Sequence, residues 1–215
     1  MVEHVAPGQT RHRGRRRAPN PWDPLIRISH WGIAAAVFVN GLIVKPGGTI
    51  HIWIGWAAMA LLAARLVWGL VGPREARFAA FPPAPLSALR HLGQVLRGRA
   101  CEYPSHNPAG AMMVYALWLG LIVVIATGLV MTGGKTPITI AEERAAVAAG
   151  DWSVLVKDDA AGDDRPQDTK LVEEVHEIAA NLLLFLAVLH VLGVAAESRA
   201  LGRNLVRPMI RGKDR

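Results

Sequence analysis

The chain of 215 residues contains a single cysteine, Cys101, and this scarcity excludes several kinds of site. One cysteine cannot build a disulfide framework, a cysteine-based zinc site or an iron–sulfur cluster, and no C-x-x-C-H sequence offers covalent haem attachment. Acidic residues are outnumbered, with 17 Asp and Glu against 24 Lys and Arg, for a formal net charge of +7. That excess suits nucleic acid, an anionic membrane surface or the cytoplasmic flanks of membrane helices, and the positions of the charges decide among these.

The N-terminal segment lacks any apolar periodicity. Residues 1–24 are rich in arginine, glycine and proline, which predicts a disordered basic tail. A basic segment before an apolar run is also typical of a signal peptide. However, no clear small-x-small cleavage site with a polar flank follows the apolar run, so we expect this segment to be retained.

Apolar residues are concentrated in four stretches, which bring the mean hydropathy to +0.26 although the chain carries many charges. Each stretch has close to the roughly 20 residues that a helix needs to cross about 30 Å of hydrocarbon. Lipid tolerates only spanning structures that satisfy their own backbone hydrogen bonds. The sequence therefore predicts an all-α, four-helix transmembrane bundle as one domain over residues 25–210, with spans at about 26–44, 50–70, 111–131 and 171–194.

The connections between these spans predict the topology. Turn-forming residues at 45–49 make the first two spans an antiparallel hairpin. The second connection is rich in Arg and Pro, has helical spacing over residues 86–96, and ends at Asn107, an N-cap residue before Pro108. An acidic outer loop over residues 132–170 joins the last two spans, and residues 211–215 form a basic C-terminal end.

Basic residues are concentrated on one side of the predicted bundle. The N-terminal tail, the second connection and the C-terminal segment share that side, whereas the acidic loop lies on the other. The positive-inside rule therefore predicts that both termini are cytoplasmic. The net positive charge is then mainly a topology signal, and we expect no nucleic-acid partner.

Four histidines lie within the spans, at two depths. On the predicted topology His30 and His190 are near the cytoplasmic face, whereas His51 and His176 are near the opposite face. His176 and His190 are 14 residues apart, which leaves them within about 40° on one helix face and about 21 Å apart along its axis. Ionisable residues at membrane depth are costly and usually functional. The sequence thus predicts the pairs His30/His190 and His51/His176.

Neutral imidazole is a usual axial ligand of haem iron, and two haems stacked across a bilayer need two such pairs. We favour haem ligation over structural or chance histidines, and over a metal-transport site because no carboxylate cluster joins the pairs. Arg65 is either a snorkelling interfacial arginine or a partner for a haem propionate, and Arg27 is a similar candidate near the inner face. We expect His91, in the second connection, at the surface.

Six motifs, in order along the chain, resemble the bacterial di-haem cytochrome b family, which includes cytochrome b561 and the cytochrome b subunit of nickel–iron hydrogenases. The resemblance covers roughly residues 22–210. The motifs are R-x-x-H-W at 27–31, H-x-x-x-G at 51–55, G-x-x-G at 69–72 followed by A-R-F at 76–78, H-N-P-x-G at 106–110, and the histidines at 176 and 190. The arginine-rich tail and the long acidic loop depart from the family pattern and leave the branch open.

The resemblance implies a bundle in the bacterial inner membrane that holds two haem b groups through His30, His51, His176 and His190. It implies electron transfer between the quinone pool and a periplasmic redox partner, either an iron–sulfur subunit or a c-type cytochrome. Two alternatives stay open: a stand-alone haem b oxidoreductase of the superoxide:quinone type, and a haem-free membrane anchor or metal carrier.

Residues on the quinone side are less well defined by the sequence. His106 belongs to a family motif without an assigned role, and with Arg77 and Tyr115 it is a candidate for the inner quinone side. Asp168 and Lys170 are the corresponding candidates on the outer side. No acid–base constellation in the sequence locates the quinone.

Overall fold

A computed structural model describes residues 23–99, 103, 106–156 and 166–212, and every regular element in these ranges is helical. Predictions for the basic tail before residue 23, for residues 157–165 of the acidic loop and for residues 213–215 lie outside the described residues. The described elements, in order, are α1 (Pro24–Leu42), α2 (Thr49–Val71), two 3₁₀ turns (Arg74–Ala76 and Phe78–Ala80), α3 (Pro85–Leu96), α4 (Pro108–Met131), α5 (Pro137–Ala148), α6 (Ser153–Val156), α7 (Pro166–Ala200) and α8 (Val206–Arg211).

Four of these helices, α1, α2, α4 and α7, are long and apolar enough to cross a membrane. The prediction of an all-α bundle with four spanning helices is therefore confirmed. The last helix is longer than its predicted span, because α7 has 35 residues, or about 52 Å, against about 30 Å of hydrocarbon. Charged residues at both ends of α7 can form helix but are not suited to lipid. Hydropathy therefore predicted only the central part of this helix as a membrane span.

The hairpin of α1 and α2 is held at both ends. At one end Asp23 caps α1 by accepting a hydrogen bond from the Ile26 amide at 3.0 Å, and its second oxygen accepts one from the Trp68 indole at 2.7 Å. At the other end the Asn40 side-chain amide donates to the His51 carbonyl at 3.0 Å. The antiparallel arrangement predicted from the short connection is thus confirmed.

A helix predicted over residues 86–96 is confirmed as α3, but the expected exposure of His91 is wrong. His91 is only 2% exposed, and its Nε2 lies 3.1 Å from Oε2 of Glu197 on α7. Leu86, Leu89, Leu92 and Leu96 on the same helix are exposed. The apolar stripe of α3 therefore faces away from the bundle, and its histidine side faces inward.

Part of the predicted acidic loop is helical. Thr136 caps α5, and Ile140 of this helix is buried. Arg144 donates to the Thr49 hydroxyl at 2.9 Å and to the Gly47 carbonyl at 3.0 Å. Residues 137–148 therefore form a helix that is tied to the turn between α1 and α2, rather than irregular chain.

The centre of the bundle is a small apolar cluster of Leu62, Leu121 and Leu183, contributed by α2, α4 and α7. Leu183 is seven residues from both His176 and His190, so the cluster lies at mid-depth between the two predicted histidine pairs. Many large apolar side chains on the four spanning helices point outward. Such an exterior is expected where lipid tails replace water as the surrounding solvent.

Candidate functional site

The inner histidines lie side by side although 160 residues separate them in the chain. His30 on α1 and His190 on α7 have ring centroids 6.2 Å apart with planes at 58°. The Trp31 indole lies edge-on to His30, with centroids 5.2 Å apart. The structure thus brings together the inner pair, which was predicted from the depth of each histidine in the membrane spans.

The outer histidines form a second pair of nearly the same geometry. His51 on α2 and His176 on α7 have ring centroids 6.3 Å apart with planes at 64°. Because His176 and His190 both lie on α7, this helix contributes one imidazole to each pair. Helices α1 and α2 supply the two partners.

The spacing within each pair fits two imidazoles on opposite sides of one metal ion. Imidazole nitrogen binds a divalent transition metal at about 2.0–2.1 Å, and each ring centre lies about 1 Å beyond that nitrogen. Two opposed ligands therefore have centroids about 6 Å apart, against the 6.2 and 6.3 Å found here. No group of three or more His, Cys, Asp or Glu that could hold a metal ion occurs among the described residues. Two imidazoles per site would suit a haem that takes two ligands from the protein.

Unsatisfied polar atoms mark the same region. The Nδ1 atoms of His30 and His51 are buried and have no hydrogen-bond partner within the described part of the chain. Burying a polar group without a partner costs free energy, and the cost is high where no water reaches it. Nδ1 of His91, which belongs to neither pair, is also without a partner among the described residues, so it is the pairing of the rings that sets the four histidines apart.

Arg65 is buried in the second half of α2, with 5% of its surface exposed. One terminal nitrogen donates to the Ala76 carbonyl at 3.4 Å, and the guanidinium lies 5.1 Å from the Trp118 ring centroid. The other terminal nitrogen is buried without a partner among the residues described. A buried cation with an unused donor suits an anionic ligand group such as a propionate carboxylate.

Arg27, the other predicted propionate partner, lies against a different element. Its Nε donates to the Met209 carbonyl at 3.2 Å, and a terminal nitrogen donates to the Ile210 carbonyl. The Trp31 indole also donates to Met209, at 3.3 Å. Arg27 and Trp31 therefore hold the C-terminal helix α8 against α1.

The three candidates for the inner quinone side do not all come together. Phe81 joins two of them, since its ring centroid is 4.7 Å from that of His106 and 5.9 Å from that of Tyr115. Burial, with the charge of Arg65 nearby, lowers the pKa of His106 to about 4, so this imidazole is neutral at physiological pH. Arg77 is exposed and donates to the Gly72 carbonyl at 2.7 Å, which stabilises the turn after α2.

The outer quinone candidates are less informative. Lys170 lies on an exposed part of α7, whereas the side chain of Asp168 lies outside the described residues. Lys170 therefore provides no enclosed polar site.

Sequence reasoning missed Thr127, which contacts an outer histidine. The Thr127 hydroxyl lies 2.9 Å from Nδ1 of His176. Its signal was the single threonine of an apolar span, since hydroxyl groups bond across membrane helices. Sequence reasoning also missed the partnership of Trp118 with Arg65, because nothing in the sequence indicates which aromatic residue an arginine will face.

Four apolar spanning helices with paired histidines at two depths define a multi-pass membrane protein with bis-imidazole sites. A family model described as prokaryotic cytochrome b561 matches residues 21–212. The chain therefore belongs to the prokaryotic cytochrome b561 family, which confirms the resemblance found in its motifs. Membership implies haem b binding and electron transfer in a membrane. No match was found among curated proteins or among solved structures.

Proposed function

We propose that this protein is a di-haem cytochrome b that transfers electrons between a periplasmic redox partner and the quinone pool of a bacterial inner membrane. The observation that carries the proposal is the presence of two histidine pairs at different depths, each with the spacing of a bis-histidine metal site. A haem-free anchor has no need for four imidazoles arranged in this way.

In this proposal the histidines, Arg65 and the leucine cluster each have a separate role in holding the two haems. His30 and His190 hold the inner haem, and His51 and His176 hold the outer one. When bound, haem iron supplies reversible one-electron transfer, while the protein positions the group and tunes its electrostatics. Arg65 offers its unused donor to a propionate of the inner haem. The leucine cluster at mid-depth keeps water out of the space between the two sites.

The inner side is the better supported place for quinone. His106 and Tyr115 lie around Phe81, and Arg65 lies against the neighbouring Trp118. Quinone reduction needs protons, and a neutral imidazole can release its N–H proton to a quinone oxygen while its second ring nitrogen accepts a proton from hydronium. Replacing His106 by Asn should therefore slow quinone turnover while both haem signals remain; unchanged turnover would remove His106 from this role.

A basic periplasmic partner fits the outer end of α7. Glu173, Glu174 and Glu177 are exposed close to His176, and their charge would steer a positively charged protein towards the outer haem. The same charge repels an anionic small substrate, which disfavours superoxide oxidation. A redox subunit that co-purifies in mild detergent would favour the hypothesis of a periplasmic partner. A protein that purifies without a partner and oxidises superoxide would favour the stand-alone enzyme.

The decisive experiment is a reduced-minus-oxidised optical spectrum of the purified protein with quantification of haem. We expect a low-spin b-type signal and two haems per chain, because each pair supplies two axial imidazoles. His51→Ala and His190→Ala should each lose one haem, and a different one. His91→Gln is the matched control, since this buried histidine belongs to neither pair. This variant should keep both haems. A wild-type protein without a low-spin b-type signal would refute the proposal.

A further inference from the structure

One histidine of the outer pair, His176, is contacted by a hydroxyl group from a neighbouring helix. Nδ1 of His176 lies 2.9 Å from the hydroxyl of Thr127 on α4. Nδ1 of His30 and of His51 is buried without a partner in the ranges that the structure describes. A hydrogen bond from a neighbouring helix to a ring nitrogen therefore distinguishes His176 from these two histidines.

The hydroxyl of Thr127 is arranged to accept rather than to donate to the ring. Its oxygen lies 2.8 Å from the carbonyl of Val123 and 3.1 Å from that of Val124. Carbonyl oxygens only accept, so the single hydroxyl hydrogen is directed to them, and a lone pair remains for Nδ1–H of His176. Two acceptors on α4, the Thr127 hydroxyl oxygen and the Val124 carbonyl, therefore face the ring of His176, and an Nδ1–H directed to the hydroxyl leaves the lone pair of Nε2 available.

The ring of His176 also packs beside the next residue of α4. A Cβ atom added to Gly128 would lie 3.4 Å from Cε1 of His176, which is an ordinary van der Waals distance. The imidazole therefore lies close to the backbone of α4, within reach of Thr127.

We propose that Thr127 is the positioning residue of the outer haem: it orients His176, holds its Nδ1–H tautomer and increases the donor strength of Nε2. This inference rests on the proposed function. A histidine ligand that donates its other N–H is more basic and is fixed in orientation, and partners of this kind commonly change metal affinity by about 10–100-fold when removed. A stronger donor favours ferric over ferrous iron, so Thr127 lowers the reduction potential of the outer haem relative to a site without it.

The test compares three variants by spectroscopic redox titration of the purified, haem-loaded protein. Thr127→Val deletes the hydroxyl at nearly constant volume and should favour reduction of one haem by about tenfold, which is about 59 mV for one electron. Thr127→Ser keeps the hydroxyl and should restore the wild-type potential. Thr132→Val is the matched control, because the Thr132 hydroxyl makes the same contacts to carbonyls three and four residues earlier, at Leu129 and Gly128. The affected haem must be the one that His51→Ala loses.

Selective loss of the outer haem in Thr127→Val, with both haems kept in Thr127→Ser and Thr132→Val, also supports the inference. Thr127→Ala is measured alongside, so that a packing defect specific to valine does not decide the result. Two unchanged potentials in the hydroxyl-deleted variants, or equal shifts in Thr127→Val and Thr132→Val, would overturn the positioning role. These results leave the di-haem proposal standing, whereas a wild-type protein without two b-type haems would refute the proposed function itself.

Discussion

At the residue scale, several buried polar side-chain atoms have no hydrogen-bond partner within the described part of this apolar bundle. The Nδ1 atoms of His30 and His51 and one terminal nitrogen of Arg65 are buried without partners among the residues that the structure describes. A soluble protein can relieve such atoms with water, but a membrane interior offers none. Their burial is therefore informative about ligands in a way that exposed histidines and arginines are not.

Arg65 provides the residue-scale prediction. Arg65→Gln should lower the reduction potential of the inner haem, because it removes a buried positive charge that favours the more negative, reduced state. The effect should be on the order of 1 kcal/mol, or several-fold in the ferric-to-ferrous ratio. Redox titration measures it, with Arg27→Gln as the control, since Arg27 binds carbonyls of α8 instead. Equal potentials in wild type and Arg65→Gln would argue against a propionate partner.

At the element scale, α3 is attached to the bundle by a buried contact. His91 and Glu197 have side-chain exposures of 2% and 9%, and Nε2 of His91 lies 3.1 Å from Oε2 of Glu197. This contact joins the helix that follows the second span to the C-terminal end of α7. It explains how a helix with an outward leucine stripe remains in a defined position.

Breaking this contact should destabilise the protein. His91→Ala leaves the Glu197 carboxylate buried without its partner, which should cost about 1–3 kcal/mol. Thermal unfolding in detergent should therefore occur at a lower temperature than for wild type. Leu89→Ala is the control on the same helix, because Leu89 is exposed, and its effect should be smaller. A double substitution of His91 and Glu197 that costs no more than His91→Ala alone would show that the two residues act through each other.

At the scale of the whole molecule, the asymmetric charge distribution predicts orientation. The basic segments all lie on the predicted cytoplasmic side, and the acidic connection lies on the other. Fusion of a fluorescent protein at the C-terminus should therefore give fluorescent cells, whereas alkaline phosphatase fused there should be inactive. Phosphatase fused after residue 150 should be active. The reverse pattern would invert the topology, and with it the assignment of inner and outer haem sites.

The same scale explains which predictions succeeded. Spans and turns follow from hydropathy and local turn chemistry, so α1, α2 and α4 were predicted to within a few residues. The ends of α7 were not, because a helix continues past the lipid boundary for reasons of propensity rather than hydropathy. Helix α5 was missed for a different reason: its stability depends on contact with the turn between α1 and α2.

The sequence by itself determined the four spanning helices, their order and the depth of each histidine, because hydropathy and helical rise act locally along the chain. Only the tertiary structure decided which side chains meet across helices. The contacts of Thr127 with His176, of Arg65 with Trp118 and of His91 with Glu197 depend on how each helix is rotated about its axis and how closely neighbouring helices approach. That rotation results from packing of all the helices together, and no single segment encodes it.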